Sequence, residues 1–229
     1  MLAVHTLEVY AAASLREAFT AIARTFEAGH PEVRVRLTFA GSQSLAAQIA
    51  NGAPADLFAS AAAKNLDGLA YDPKTRQVFA VNRLVVVSSG GAVDLKGLAN
   101  VGKLVIAARA VPAGGYARAA ILKASRVYGA GWKAKVEGRV VSEEADVRSV
   151  LAKVKLGEAD AGIVYASDAF SAGKGLRAVA IPAAFQPRIE YPVAVLKEAR
   201  EARLAGEFVR LLLSPGGQRA LVKRGFLRP

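Results

Sequence analysis

The 229-residue chain is 53% hydrophobic and 22% charged, the balance of a folded globular protein, and its length suffices for one large domain or two lobes of about 100 residues each. It has no cysteine, which excludes disulfides and thiolate metal sites, and with His5 and His30 as its only imidazoles a His-rich metal site or a His-based acid–base scheme is disfavoured. The net charge of +12 is unevenly spread: residues 1–81 balance seven Lys/Arg against seven Asp/Glu, residues 82–190 carry sixteen against nine, and residues 191–229 eight against three.

Strand and helix patterns alternate along the chain, which predicts α/β layers around largely parallel sheets. Residues 7–12 read as a first strand. Residues 14–28 follow as an amphipathic helix, with Leu15, Ala18, Phe19, Ile22 and Phe26 at helical spacing. Residues 33–39 alternate apolar and polar, as a half-buried strand does. A second helix is predicted over 44–49, ended by Asn51-Gly52, and a short strand over 56–60. Leu84-Val85-Val86-Val87 and Leu104-Val105-Ile106-Ala107 are runs of the kind buried on both faces. Pro112 and Gly114-Gly115 mark a turn before a helix over 116–123. Residues 146–155 read as helix, 161–165 as strand, 191–195 as a late strand and 201–213 as a closing helix.

No internal repeat and no low-complexity linker interrupts this pattern. Two lobes would therefore be joined by continuous strands, crossing near Val81–Leu84 and Glu190–Val193. The expected division is residues 1–81 plus 194–229 in lobe I and residues 82–193 in lobe II. No apolar stretch reaches the roughly 18 residues that span a bilayer. The start, Met1-Leu2-Ala3-Val4-His5, has neither a basic n-region nor a long apolar h-region, so it reads as a chain without a signal peptide.

Three places share one physical device, in which a strand ends, a turn of small residues follows, and a helix begins. They are Ala11-Ala12-Ala13-Ser14-Leu15-Arg16-Glu17, where Ser14 and Glu17 have the spacing of a capping box; Phe39-Ala40-Gly41-Ser42-Gln43-Ser44-Leu45; and Val111-Pro112-Ala113-Gly114-Gly115-Tyr116. A helix start carries unpaired N–H groups and about half a positive charge, so it attracts anions. Serine hydroxyls add donors without adding charge. In open α/β sheets ligands bind beyond the carboxyl ends of the strands, where Ser14 and Ser42 fall. For either serine alone, a purely structural N-cap is the better reading of the pattern.

The ordered set Ala11-Ala12-Ala13-Ser14-Leu15, Ala53-Pro54-Ala55-Asp56-Leu57-Phe58, Asn82-Arg83-Leu84-Val85-Val86-Val87, Val111-Pro112-Ala113-Gly114, Asp146-Val147-Arg148, Gly162-Ile163-Val164-Tyr165-Ala166-Ser167-Asp168 and Glu190-Tyr191-Pro192-Val193-Ala194-Val195 resembles the periplasmic molybdate/tungstate-binding proteins of ABC importers. The resemblance runs over almost the whole chain. It implies a two-lobed periplasmic-binding-protein fold, each lobe a mixed, mostly parallel sheet flanked by helices, with two hinge strands between them. It implies ligand contacts from Ser14 and Ser42 in the first lobe, and from the backbone N–H groups of Ala113 and Val147 and the phenol of Tyr165 in the second. The second turn departs from some relatives, which carry a serine where Gly41 stands, so Ser42 is the match there. The resemblance further implies a monomer that works with a membrane permease, at the periplasm or cell surface after loss of a leader. It implies no cofactor; the ligand is molybdate or tungstate, and its metal arrives as the oxyanion with no direct bond to protein.

Proton bookkeeping sharpens the chemistry. A proton-free tetrahedral dianion only accepts hydrogen bonds, so its cage presents donors alone. Hydrogen phosphate carries a proton and would leave a polar group unpaired, at a cost of about 1–3 kcal/mol. Sulfate has the same proton state as molybdate, so cage size must exclude it. Glu143, Glu144 and Asp146 stand beside Val147 and would disturb a donor-only cage; a related archaeal group does add carboxylates to the metal centre. The alternative role for Glu143 or Asp146 is to cap the helix carrying Val147, where its charge complements the dipole.

Competing functions meet objections in the residues. A serine hydrolase needs a nucleophile with a base in reach, and there is neither a G-x-S-x-G elbow nor a Walker A loop. Nucleic-acid binding is disfavoured because the basic residues are spread singly and aromatics are only 7%, without a stacking cluster. A ligand-sensing regulatory domain of the same fold usually carries a helix-turn-helix module, whereas this chain starts at its first strand. A receptor for sulfate, phosphate or another small oxyanion remains open.

Overall fold

The computed structural model describes residues 5–229; Met1–Val4, on which the reading of a leaderless start rests, lie outside the described residues. In chain order the elements are β1 (His5–Ala12), α1 (Arg16–Gly29), β2 (Val33–Ala40), α2 (Ser42–Ala50), β3 (Leu57–Ala59), β4 (Gln77–Asn82), β5 (Leu84–Ser88), β6 (Leu104–Ala107), α3 (Pro112–Tyr128), α4 (Ala130–Gly138), β7 (Val140–Glu144), α5 (Val147–Lys155), β8 (Ala161–Tyr165), α6 (Ala166–Ala172), β9 (Arg177–Ala180), β10 (Ile189–Val195), α7 (Ala202–Leu213) and α8 (Pro215–Val222). They divide into two compact units, Met1–Val81 with Glu190–Pro229 and Asn82–Ile189. Each is built on one five-stranded sheet.

Unit 1 has strand order β2-β1-β3-β10-β4. β1 runs parallel to both β2 and β3, so their carboxyl ends, at Ala12, Ala40 and Ala59, share one edge. β10 pairs antiparallel with β3, Val193 opposite Ala59. The helical spacing in α1 buries Phe19, Ile22 and Phe26. Phe19 meets Phe79 of β4 at 5.6 Å and Phe208 of α7 at 5.8 Å between ring centroids. Each such ring taken out of water contributes about 2–3 kcal/mol, which fixes α1 and α7 to the sheet. The pairing of β10 corrects the expected boundary: Glu190–Val193 belong to unit 1, because Val193 pairs with Ala59 and the Ser60 amide donates to Pro192 O at 2.9 Å.

Unit 2 has strand order β7-β6-β8-β5-β9. β6 is parallel to β7 and β8, so Ala107, Glu144 and Tyr165 end at a common edge. β5, buried throughout as its Leu-Val-Val-Val run predicts, is antiparallel to β8 and β9. Gly162 lets α5 lie against β8: an added Cβ would come within 2.9 Å of Val150 Cγ1 and 3.0 Å of Val154 Cγ2.

The helix starts shift from the sequence expectation. Residues 13–15 form a 3-10 turn before α1, α2 begins at Ser42 rather than residue 44, and α3 begins at Pro112 rather than 116. Proline at the first helical position has no N–H to lose and its φ is preset. Gly114 is thus a helical residue rather than a turn residue. It is glycine because a Cβ would sit 2.1 Å from Ala108 O and 2.2 Å from Ala107 O.

Candidate functional site

At the carboxyl edge of unit 1, β1 runs into the Ala13–Leu15 turn and β2 runs through Gly41 into α2. Ser14 and Ser42 are both buried. The expected Ser14–Glu17 capping box falls where residues Ala13–Leu15 form a 3-10 turn, and α1 itself starts only at Arg16. The Ser14 hydroxyl lies 3.0 Å from the phenol oxygen of Tyr191 on β10. Tyr191 is fully buried and fixed edge-on against Phe79 and Phe226. With the phenol donating, the serine hydrogen is left to donate elsewhere, because a hydroxyl has one donor and two acceptor positions.

Ser42 behaves likewise. Its Oγ accepts the backbone N–H of Ala61 at 3.0 Å, which leaves its own hydrogen to donate. It is not the N-cap of α2; Gly41 holds that place, and Gly41 O accepts from Ser44 N and Leu45 N. Ser60, one residue beyond β3, braces this corner: its Oγ donates to Ala62 O at 2.8 Å and accepts from Ala62 N and Asn65 Nδ2, each at 3.1 Å. Sequence reading missed Tyr191 and Ala61 as partners of the two serines. Only the pairing of β1 with β3, and of β3 with β10, brings them to this edge.

At the carboxyl edge of unit 2, Ala113 is the second residue of α3, Val147 the first of α5, and Tyr165 the last of β8. All three are buried. Asp146 is the N-cap of α5, its Oδ1 accepting from Arg148 N at 2.7 Å and Ser149 N at 3.0 Å. It thereby takes the second and third amides of the helix, and not that of Val147. Arg118 of α3 donates to Ala107 O and Gly114 O and engages the Glu143 carboxylate. Glu144 meets Lys153 Nζ and Ser142 Oγ. Burial alone would raise the Glu144 pKa; the hydrogen bonds from Lys153 and Ser142 outweigh it and hold the carboxyl below its ordinary value. Asp168, fully buried in the first turn of α6, lies 2.8 Å from Arg148 Nε. Each carboxylate close to Val147 thus has a cation or amide of its own.

The structure therefore gathers Ser14 and Ser42 at one edge within unit 1, and Ala113, Val147 and Tyr165 at one edge within unit 2. In each unit the groups presented are amides and hydroxyls at helix starts. Among the described residues no group of three or more His, Cys, Asp or Glu converges in a way that could hold a metal ion.

Two five-stranded mixed sheets flanked by helices, with such turns beyond the strand ends, define the class of two-lobed solute receptors. Residues 7–227 match the family model described as bacterial extracellular solute-binding protein, and the chain belongs to that family. It is 37% identical over 234 residues to the molybdate-binding protein ModA of Mycobacterium tuberculosis, covering 98% of this chain and 85% of that one. It is 38% identical over 236 residues to ModA of Escherichia coli, covering 96% and 88%. The periplasmic molybdate-binding protein of Azotobacter vinelandii has the same fold, with a TM-score of 0.84 at 24% identity over 97% of this chain and 99% of that chain.

Proposed function

We propose that this chain binds molybdate or tungstate and hands it to the permease of an ABC importer. In this reading Ser14 and Ser42 donate through their hydroxyls, Ala113 and Val147 through their amides and Tyr165 through its phenol. One observation supports it above the rest: the candidate groups are neutral donors, while Glu143, Glu144, Asp146 and Asp168 are each engaged elsewhere. A donor-only shell suits an oxyanion without protons and leaves hydrogen phosphate one polar group unpaired.

Binding is by closure of the two units on the ligand, which stabilises the closed form by its differential affinity. The protein acts as a receptor rather than an enzyme, as a monomer without cofactor or nucleic acid, at the periplasm or cell surface. No helix among the described residues is long and apolar enough to cross a membrane. Parallel calorimetric titrations with sodium molybdate, tungstate, sulfate and phosphate test the ligand. Sub-micromolar binding of molybdate and tungstate, with sulfate and phosphate at least 100-fold weaker (about 2.7 kcal/mol), is expected. Equal affinity for sulfate and molybdate rejects the named ligand.

A further inference from the structure

Asp168 is the one carboxylate in unit 2 that is wholly out of water, and binding does not use it directly. It stands in the first turn of α6, three residues after Tyr165, with its Oδ1 2.8 Å from Arg148 Nε. Arg148 is the residue after Val147, and its amide is held by the Asp146 cap. The pair therefore bridges α5, which begins at Val147, and α6, whose N-cap is Tyr165. The same turn is held on its other side, where Asn82 Nδ2 donates to the buried Ser167 Oγ at 2.9 Å and Ala166 N donates to Arg83 O at 2.8 Å.

We propose that the Arg148–Asp168 ion pair is a positioning device that sets the spacing between the Val147 amide and the Tyr165 phenol, and so makes the half-cage of unit 2 selective for a large tetrahedral oxyanion over sulfate. This rests on the ligand reading above. A buried ion pair is a poor way to gain stability, since desolvation consumes most of the attraction between its charges. It is a good way to fix geometry, because guanidinium and carboxylate meet in few orientations. Molybdate and sulfate have the same charge and proton state, so a cage can tell them apart only by the distance between its donors. A slackened α5–α6 junction lets the donors follow the smaller anion inward, while the fit to the larger one worsens.

The test is calorimetric titration of sodium molybdate and sodium sulfate into the intact protein, its Asp168→Asn variant and its Arg148→Lys variant, with thermal unfolding of each. Lys153→Met serves as control: it breaks the pair between Lys153, on the same helix as Arg148, and Glu144 of β7 without removing either partner of the α5–α6 ion pair. In Asp168→Asn the preference for molybdate over sulfate falls by about tenfold or more, the loss expected when a hydrogen bond to a charged ligand is no longer well made. Arg148→Lys, which keeps the charge but not the fork, moves the ratio in the same direction. Lys153→Met leaves it within about twofold, less than a weak hydrogen bond is worth. A ratio unchanged in whichever of the two junction variants unfolds cooperatively overturns the proposal, even if its melting temperature drops, because the pair would then be structural only. A parent protein that prefers neither anion fails earlier, and rejects the ligand reading itself.

Discussion

Replacing Ser42 by alanine removes two interactions at once, and their sizes can be separated. In the protein without ligand, Ser42 Oγ accepts the Ala61 amide at 3.0 Å, and both residues are nearly inaccessible to water. Deleting the oxygen leaves a buried N–H unpaired, which costs about 1–3 kcal/mol of stability. For a chain of this length each kcal/mol lowers the melting temperature by about 2–4 °C. In the complex the variant also lacks the O–H that donates to the anion. A hydrogen bond to a charged group contributes about 1.5–3 kcal/mol, or roughly 10- to 150-fold in Kd. Isothermal titration with sodium molybdate gives the second quantity and calorimetric unfolding without ligand the first. A lowered Tm with an unchanged Kd would refute the role of Ser42 as ligand donor and leave it a brace for the β3 corner. Unchanged values of both would refute the hydrogen bond as a contributor of any kind.

Tyr191→Phe keeps the ring packed against Phe79 and Phe226 but removes the partner of Ser14; it lowers stability by about 0.5–1.5 kcal/mol and weakens molybdate binding by a few-fold to tenfold in the same titration. Gly114→Ala forces a Cβ onto the carbonyls of Ala107 and Ala108, so the first turn of α3 must move; unfolding should show a loss of about 1–3 kcal/mol, with molybdate affinity falling alongside as the Ala113 amide is displaced. Glu144 is held below its ordinary pKa in the folded protein, so it contributes stability that is present above the unfolded-state value near 4.5 and is lost as pH falls through the lower folded value. Glu144→Gln should therefore flatten the decline of Tm measured below about pH 4.5 relative to the parent, and an equally steep decline would contradict the Lys153–Ser142 account.

Local patterns revealed what depends on local physics. The Leu-Val-Val-Val run of β5 and the spacing of Phe19, Ile22 and Phe26 in α1 are legible because burial alone dictates them. α4 and β7 were not foreseen: α4 buries only Val136, and β7 has no fully buried residue, so neither carries a strong apolar period. α6 and α8 are short, and β9 is mostly exposed, which blurs their patterns too. The direction of β5 is a property of chain routing, which periodicity does not encode.

The candidate site divides the same way. Ser14, Ser42 and Ala113 stand at strand ends that the sequence marks with small residues, whereas Val147 and Tyr165 were legible only through the family resemblance. The capping-box spacing of Ser14 and Glu17 held no sign that the chain tightens into a 3-10 turn there or that the Ser14 hydroxyl meets Tyr191. That partner lies 177 residues away, and Ala61 lies 19 from Ser42; neither bond has a local signature. The role of Asp146 was legible as an N-cap, since an acidic residue directly before an apolar helical run satisfies the first amides. The link from Arg148 to Asp168 was not, for it requires two helices to be packed before it exists.

A crystal structure of the protein grown with sodium tungstate tests the central claim most directly, because the tungsten position is read from its anomalous scattering independently of any assumed pose. The account predicts one tungsten centre whose oxygens lie about 2.7–3.0 Å from the Ser14 and Ser42 hydroxyls, the Ala113 and Val147 amides and the Tyr165 phenol, with no carboxylate in contact. A tungsten site elsewhere on the protein, or one that takes an oxygen of Glu143, Asp146 or Asp168 as a ligand, would contradict it.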